Sequence, residues 1–145
     1  MKWVKEGMAV YDKRIRNYFP FEVTEIPALR NTRNLSENEQ RDKEAALILK
    51  TLKPGEKLLL LDETGKQMSS VAFSRYIDRH FSSGIKRMTF VVGGPYGFSR
   101  QLHDEAIDRL SLSPMTFSHQ IVRVLFLEQL YRALTILRNE PYHHA

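Results

Sequence analysis

The chain is predicted to fold as an alternating α/β domain, a parallel sheet covered by helices on both sides. Three observations predict this. Lys57 to Asp62 (KLLLLD) and Met88 to Val92 (MTFVV) are short, largely apolar runs, the pattern of strands buried on both faces. Segments of helical periodicity lie between and around them. Turn and cap signals (Ser-x-x-Glu, Pro-Gly, Gly-Gly-Pro) fall at the junctions.

Lys2 to Tyr18 reads as a helix, since Trp3, Val10, Tyr11, Ile15 and Tyr18 recur at roughly helical spacing. Phe21 to Ile26 alternates like a strand and Pro27 stops it. Ala28 to Leu35 is polar, basic and loop-like. Ser36 with Glu39 forms a capping box that opens a helix to about Leu52. After the Pro54-Gly55 turn comes the strand at Lys57, then a turn at Thr64-Gly65-Lys66. Ser69 or Ser70 caps a helix through Phe81 that ends at Gly84. The strand at Met88 runs into Gly93-Gly94-Pro95-Tyr96-Gly97. Ser99 caps a helix to Arg109, Leu110 to Leu112 is a short strand, and Ser113 to Thr116 is a second turn. The last helix spans about His119 to Arg138. The predicted order is α-β-α-β-α-β-α-β-α. Such a fold more often begins with a strand, so the helical start suggests that a first strand is missing.

With 145 residues, one domain over 1–145 is expected. Hydrophobic residues make up 42%, enough for a core. No apolar run approaches the ~18 residues of a membrane span, and charged residues interrupt the N-terminus before any signal-peptide core. The absence of cysteine excludes disulfides, thiolate catalysis and cysteine-bound zinc, and fits a cytoplasmic protein. A net charge of +5 is compatible with a nucleic-acid partner. Lys13, Arg14, Arg16, Arg30, Arg33, Lys86 and Arg87 are either solvated or, if they share a face with a pocket, a phosphate-binding surface.

Function is sought where two glycine- and proline-shaped turns follow strands, because ligands of open α/β folds sit at the carboxyl ends of strands. Neither GxxxxGK[ST] nor GxGxxG is present. His119 with Arg123 one turn later offers a polar or anionic substrate two partners, or His119 simply caps and packs. Tyr142 and His143, just after a buried helix, can fold back over a pocket, or belong to a loose terminus. Met115 reads as packing. The histidines lack metal-ligand spacing, and Asp104, Glu105 and Asp108 read as an exposed helix face. In the last helix Val122, Phe126, Leu127, Leu130, Ala133, Leu134 and Leu137 form one apolar stripe, and Ile121, Val124, Leu125 and Ile136 a second. Two stripes predict either a homodimer contact or a helix sandwiched within one chain.

Four motifs in register, Phe90 to Phe98 (FVVGGPYGF), Leu110 to Arg123 (LSLSPMTFSHQIVR), Glu128 to Ala133 (EQLYRA) and Asn139 to His143 (NEPYH), with LLLLDETGK at Leu58 to Lys66, resemble the bacterial ribosomal RNA large-subunit methyltransferase H family. These are SPOUT-class pseudouridine N3-methyltransferases, and the resemblance covers essentially the whole chain. It departs at the N-terminus, where the family has an extra strand. It implies a SPOUT α/β-knot fold, with a C-terminal trefoil knot at about 88–138. It also implies a homodimer, and S-adenosylmethionine-dependent methylation of N3 of a pseudouridine (position 1915 in the usual rRNA numbering) in the large-subunit rRNA of assembled ribosomes. Carried over by position, the cofactor contacts are Leu61, Gly93, Leu112, Ser113, Pro114, Met115, Thr116 and Phe117. His143, Tyr142 and Arg132 become the catalytic candidates: His143 assists loss of the N3 proton, Tyr142 orients the base, and Arg132 and Arg123 hold phosphate or the carbonyls. His119 and Arg123 are the substrate-binding candidates. A methyltransferase for another RNA position and a non-catalytic RNA- or ribosome-binding domain are the alternatives.

Overall fold

The computed structural model describes residues 1–27, 29–93 and 96–144. Gly94 and Pro95 of the predicted first turn lie outside these residues. The elements are α1 (Lys2–Ile15), a 3-10 turn (Thr32–Asn34), α2 (Glu37–Thr51), β1 (Lys57–Gln67), α3 (Ser70–Ser82), β2 (Met88–Val92), α4 (Arg100–Glu105), β3 (Asp108–Ser111) and α5 (Ile121–Leu137). The three strands form one parallel sheet in the order β2-β1-β3. Parallel strands need crossovers, and α3 and α4 with their loops supply them.

Strand β1 shows why the leucine run is continuous. Leu58 and Leu60 face a core with Ala45 and Ile48 of α2 and Leu102 of α4. Leu59 faces the opposite core, with Ile77 of α3, Leu110 of β3 and Phe126, Leu130 and Leu134 of α5. Alternate side chains point to opposite faces, so a strand covered on both sides has no solvent position to fill. Leu59 and Leu60 are both fully buried.

Serine hydroxyls start α2, α3 and α4. Ser36, Ser69 and Ser99 accept from the backbone N–H of Glu39, Ala72 and Leu102. Each bond satisfies a donor that the first helical turn leaves free.

Four sequence expectations are corrected. Phe21 to Ile26 is not a strand. Its middle residues are exposed, while Phe21 packs on one core and Ile26 on the other. The alternation therefore reflects two anchoring side chains. Pro20 and Pro27 lack the N–H a ladder needs. Among the described residues the sheet accordingly has three strands, not four.

Thr64-Gly65-Lys66 is not a turn but part of β1. The pairing of β1 with β3 slips between Leu61 and Lys66, both opposite Leu110. At Gly65 a Cβ would lie 2.6 Å from the carbonyl carbon of Arg109, so only glycine permits this approach. The helix from Ser99 stops at Glu105 rather than Arg109, and β3 begins at Asp108. Asp108 is thus not on an exposed helix face. Its side chain is 17% exposed and meets Lys66 and Tyr76.

Helix α5 packs on both α1 and α3. From Phe126 onward its first stripe joins the core, Val122 is half-buried, and Val124 of the second stripe faces Gly7 of α1. In the second stripe Leu125 lines the cavity described below, Ile136 is half-buried and Ile121 stays exposed. Among the described residues, no helix is long and apolar enough to cross a membrane.

Candidate active site

A cavity of about 340 Å³ opens between β1, β3, the start of α3 and α5. Leu61 of β1, Leu112 just after β3, and Phe117 line it with Phe73 and Phe126. Its polar lining comes from Lys66, Ser69, Ser70, Ser111 and Gln129. The volume falls in the range of small-ligand sites, which are mostly apolar with a few placed polar groups.

Three of the residues expected to hold a cofactor therefore line one cavity. The others lie outside it. Ser113 braces the turn after β3: its carbonyl accepts from the Ser111 hydroxyl at 2.9 Å, and its own hydroxyl accepts from the Met115 N–H at 3.0 Å. Pro114 is exposed, and Met115 is 75% exposed, so the expected packing role of Met115 is not met. Thr116 donates to Glu63 at 2.9 Å. Gly93 lies against the ring of Phe98, which a Cβ would meet at 2.7 Å.

The tail folds back onto α5, but Tyr142 and His143 do not line the cavity. Tyr142 donates to Glu128 Oε1 at 3.0 Å. Arg132 grips the same carboxylate at 3.0 and 2.5 Å and stands over the Tyr142 ring at 4.8 Å. Arg132 Nη1 lies 3.1 Å from His143 Nδ1. A guanidinium only donates, so Nδ1 is the acceptor in this contact and the ring proton sits on Nε2. Burial pushes the Tyr142 phenol up to about 12, helped by the Glu128 carboxylate and Tyr11. Tyr142 is therefore a hydrogen-bond donor at neutral pH. Tyr131 meets the same ring edge-on at 4.7 Å.

Sequence reasoning missed Glu128 as the hub of this cluster and Gln129 as the wall of the cavity. Gln129 Nε2 donates to Glu128 Oε2 at 3.1 Å, and its Oε1 accepts from Ser70 at 2.8 Å. The cavity and the tail thus share one hydrogen-bonded chain. A Glu-Gln pair flanked by leucines was the available signal, but its partners lie in α3 and the tail.

His119 precedes α5 in a turn and is exposed, 3.4 Å from Gln120. Arg123 is half-buried, and among the described residues it makes no ion pair. Neither joins the tail cluster. Beside the cavity, burial pushes Asp108 up, but hydrogen bonds from Lys66, Tyr76 and the Arg109 N–H outweigh it and hold the carboxyl below its usual range. Among the described residues no group of histidines and carboxylates is placed to hold a metal.

Residues 1–143 match the family described as "Predicted SPOUT methyltransferase". The chain is 52% identical over 139 residues to the ribosomal RNA large subunit methyltransferase H of Parabacteroides distasonis, covering 96% of this chain and 88% of the relative. It is 53% identical to the proteins of the same name from Christiangramia forsetii and Flavobacterium johnsoniae, over 93% and 92% of this chain and 86% and 85% of theirs.

Proposed function

The chain belongs to the SPOUT methyltransferase family, and from that premise we propose that it methylates N3 of a pseudouridine in large-subunit ribosomal RNA, with S-adenosylmethionine as donor. The observation that carries this reading is the joining of an apolar cavity to the tail cluster of Arg132, Tyr142 and His143 through Gln129 and Glu128. Residues 1–145 act as one domain, with the cofactor-binding knot at about 88–138.

Leu61, Leu112 and Phe117 would hold the adenosine, with polar contacts from Ser70 and Gln129 for hydroxyls. Gly93, Ser113, Pro114, Met115 and Thr116 supply backbone groups of the two turns. When bound, the cofactor provides an electrophilic methyl group on a positive sulfur. The protein's own work is to place the base and take a proton.

Arg132 and Tyr142 are donors suited to the two carbonyls that flank N3, where negative charge grows as the N3 proton leaves. A carbonyl that takes over Arg132 Nη1 frees His143 Nδ1, which then accepts that proton. Binding of the base thereby exposes the acceptor it needs. His119 and Arg123 contact RNA at the rim, Arg123 through phosphate.

The protein acts as a homodimer. Trp3 and Val10, on one face of α1, are 49% and 47% exposed, and Ile121 of the adjoining α5 is 39% exposed. Apolar side chains left open on two packed helices suit a second copy.

The test is methyl transfer from labelled S-adenosylmethionine to ribosomes that lack the modification, mapped by mass spectrometry of the rRNA. One added methyl at a large-subunit pseudouridine is expected. No saturable cofactor binding by calorimetry would overturn the reading in favour of a non-catalytic ribosome-binding domain. A methyl at another RNA position would overturn the choice of substrate.

A further inference from the structure

A second groove lies at the opposite end of the sheet, where β1 and β2 begin. It is bounded by the turns Lys53–Lys57 and Ser83–Arg87 and has a volume of about 630 Å³. Its floor is fixed. Thr89 donates to Glu56 Oε2 at 2.9 Å, Arg87 Nε lies 3.2 Å from Glu56 Oε1, and the Lys57 N–H donates to the Arg87 carbonyl at 3.1 Å. Arg87 also meets Glu22 at 2.5 Å. That guanidinium is paired with two carboxylates, so the three groups together carry one net negative charge.

Lys53, Lys57 and Lys86 line the same groove and are exposed. Among the described residues none of the three is in an ion pair. Three ammonium groups free of ion pairs among the described residues outweigh the one net negative charge of the hydrogen-bonded floor, and form a cradle for a chain of spaced negative charges. The five residues of β2 separate this end of the sheet from the turn at Gly93, which is about 16 Å at 3.3 Å per residue.

We infer that this groove is a second rRNA contact, gripping the phosphate backbone away from the reacting base. The inference rests on the proposed rRNA substrate. Two contacts at opposite ends of the sheet orient the protein on a large folded RNA, whereas base contacts alone would fix only the pocket end. Lysines suit the task because each offers a point charge and rotatable donors without demanding one phosphate geometry.

The test uses the full chain with Lys53→Gln, Lys57→Gln and Lys86→Gln combined. Co-sedimentation with ribosomes is measured across salt concentrations, beside methyl transfer, cofactor calorimetry and thermal unfolding. The salt slope of binding should fall by about one per lysine, and KM for ribosomes should rise about tenfold. Cofactor affinity and kcat should stay unchanged. An unchanged salt slope overturns the inference, whether or not the variant loses stability. A loss of stability beside that unchanged slope would assign the lysines to the C-terminal ends of α2 and α3. Wild-type protein that binds ribosomes through the groove but transfers no methyl would instead sink the proposed reaction and leave the groove standing.

Discussion

Gln129 Nε2 donates to Glu128 Oε2 across 3.1 Å, and this bond between neighbours on α5 joins the cavity to the folded-back tail. Side chains one position apart point in directions about 100° different on a helix. One can therefore line a pocket while the other serves a separate cluster. Gln129→Leu should weaken S-adenosylmethionine binding about three- to tenfold, the worth of one ordinary hydrogen bond. Calorimetry reads this directly, and unchanged affinity would remove Gln129 from the cofactor site.

Glu128→Gln takes away the charge that holds Arg132 and the strong acceptor of Tyr142. Turnover on ribosomes should fall about ten- to a hundredfold, as when a charged hydrogen bond of about 1.5–3 kcal/mol is lost. Cofactor affinity should hold. Equal loss in both quantities would mean that the substitution disturbs the fold around α5 and not the tail alone.

Tyr142→Phe and His143→Ala should each reduce turnover. If both leave it unchanged, the tail has no part in the reaction. Tyr142 also has an alkaline signature. Its folded pKa of about 12 lies above the ordinary 10, so its contribution to stability is complete below pH 10. It is lost as pH rises through about 12. The phenylalanine variant should show a shallower fall in Tm over that window.

Asp108 runs the other way. Its folded carboxyl is held below the usual range, so it stabilises above that range and the effect disappears as pH falls through the lowered value. Asp108→Asn should cost about 1 kcal/mol at neutral pH, or a few degrees in Tm. The gap between variant and wild type should close in acid. A gap independent of pH would show that shape, not charge, matters there.

Gly65→Ala should destabilise by about 1–3 kcal/mol, because the obstacle at 2.6 Å is the β3 backbone and not a movable side chain. Chemical denaturation measures this. Wild-type stability in the variant would mean that β1 and β3 can separate locally at no cost.

The sequence was legible wherever the cause of structure is local. KLLLLD is read as a doubly buried strand because an uninterrupted apolar run is what burial on both faces requires. Ser36 and Ser99 are read as caps because a cap needs only the next three residues, and of the two candidates Ser69 and Ser70 the structure selects Ser69. Phe21 to Ile26 was misread because alternation records which side chains are anchored, not whether a neighbouring strand exists. Thr64 to Lys66 was misread because turn composition also suits a strand pressed against another backbone.

By itself, then, the sequence determined the α/β class, the apolar runs and caps, and through its four motifs the family. Tertiary structure alone decided that Glu128 organises the tail, that Gln129 ties it to Ser70 in α3, and that Asp108 meets Lys66 and Tyr76. The physical reason is range. Caps and periodicity act within a few residues, whereas a hydrogen bond between residues 70 and 129 exists only after the sheet has set its helices side by side.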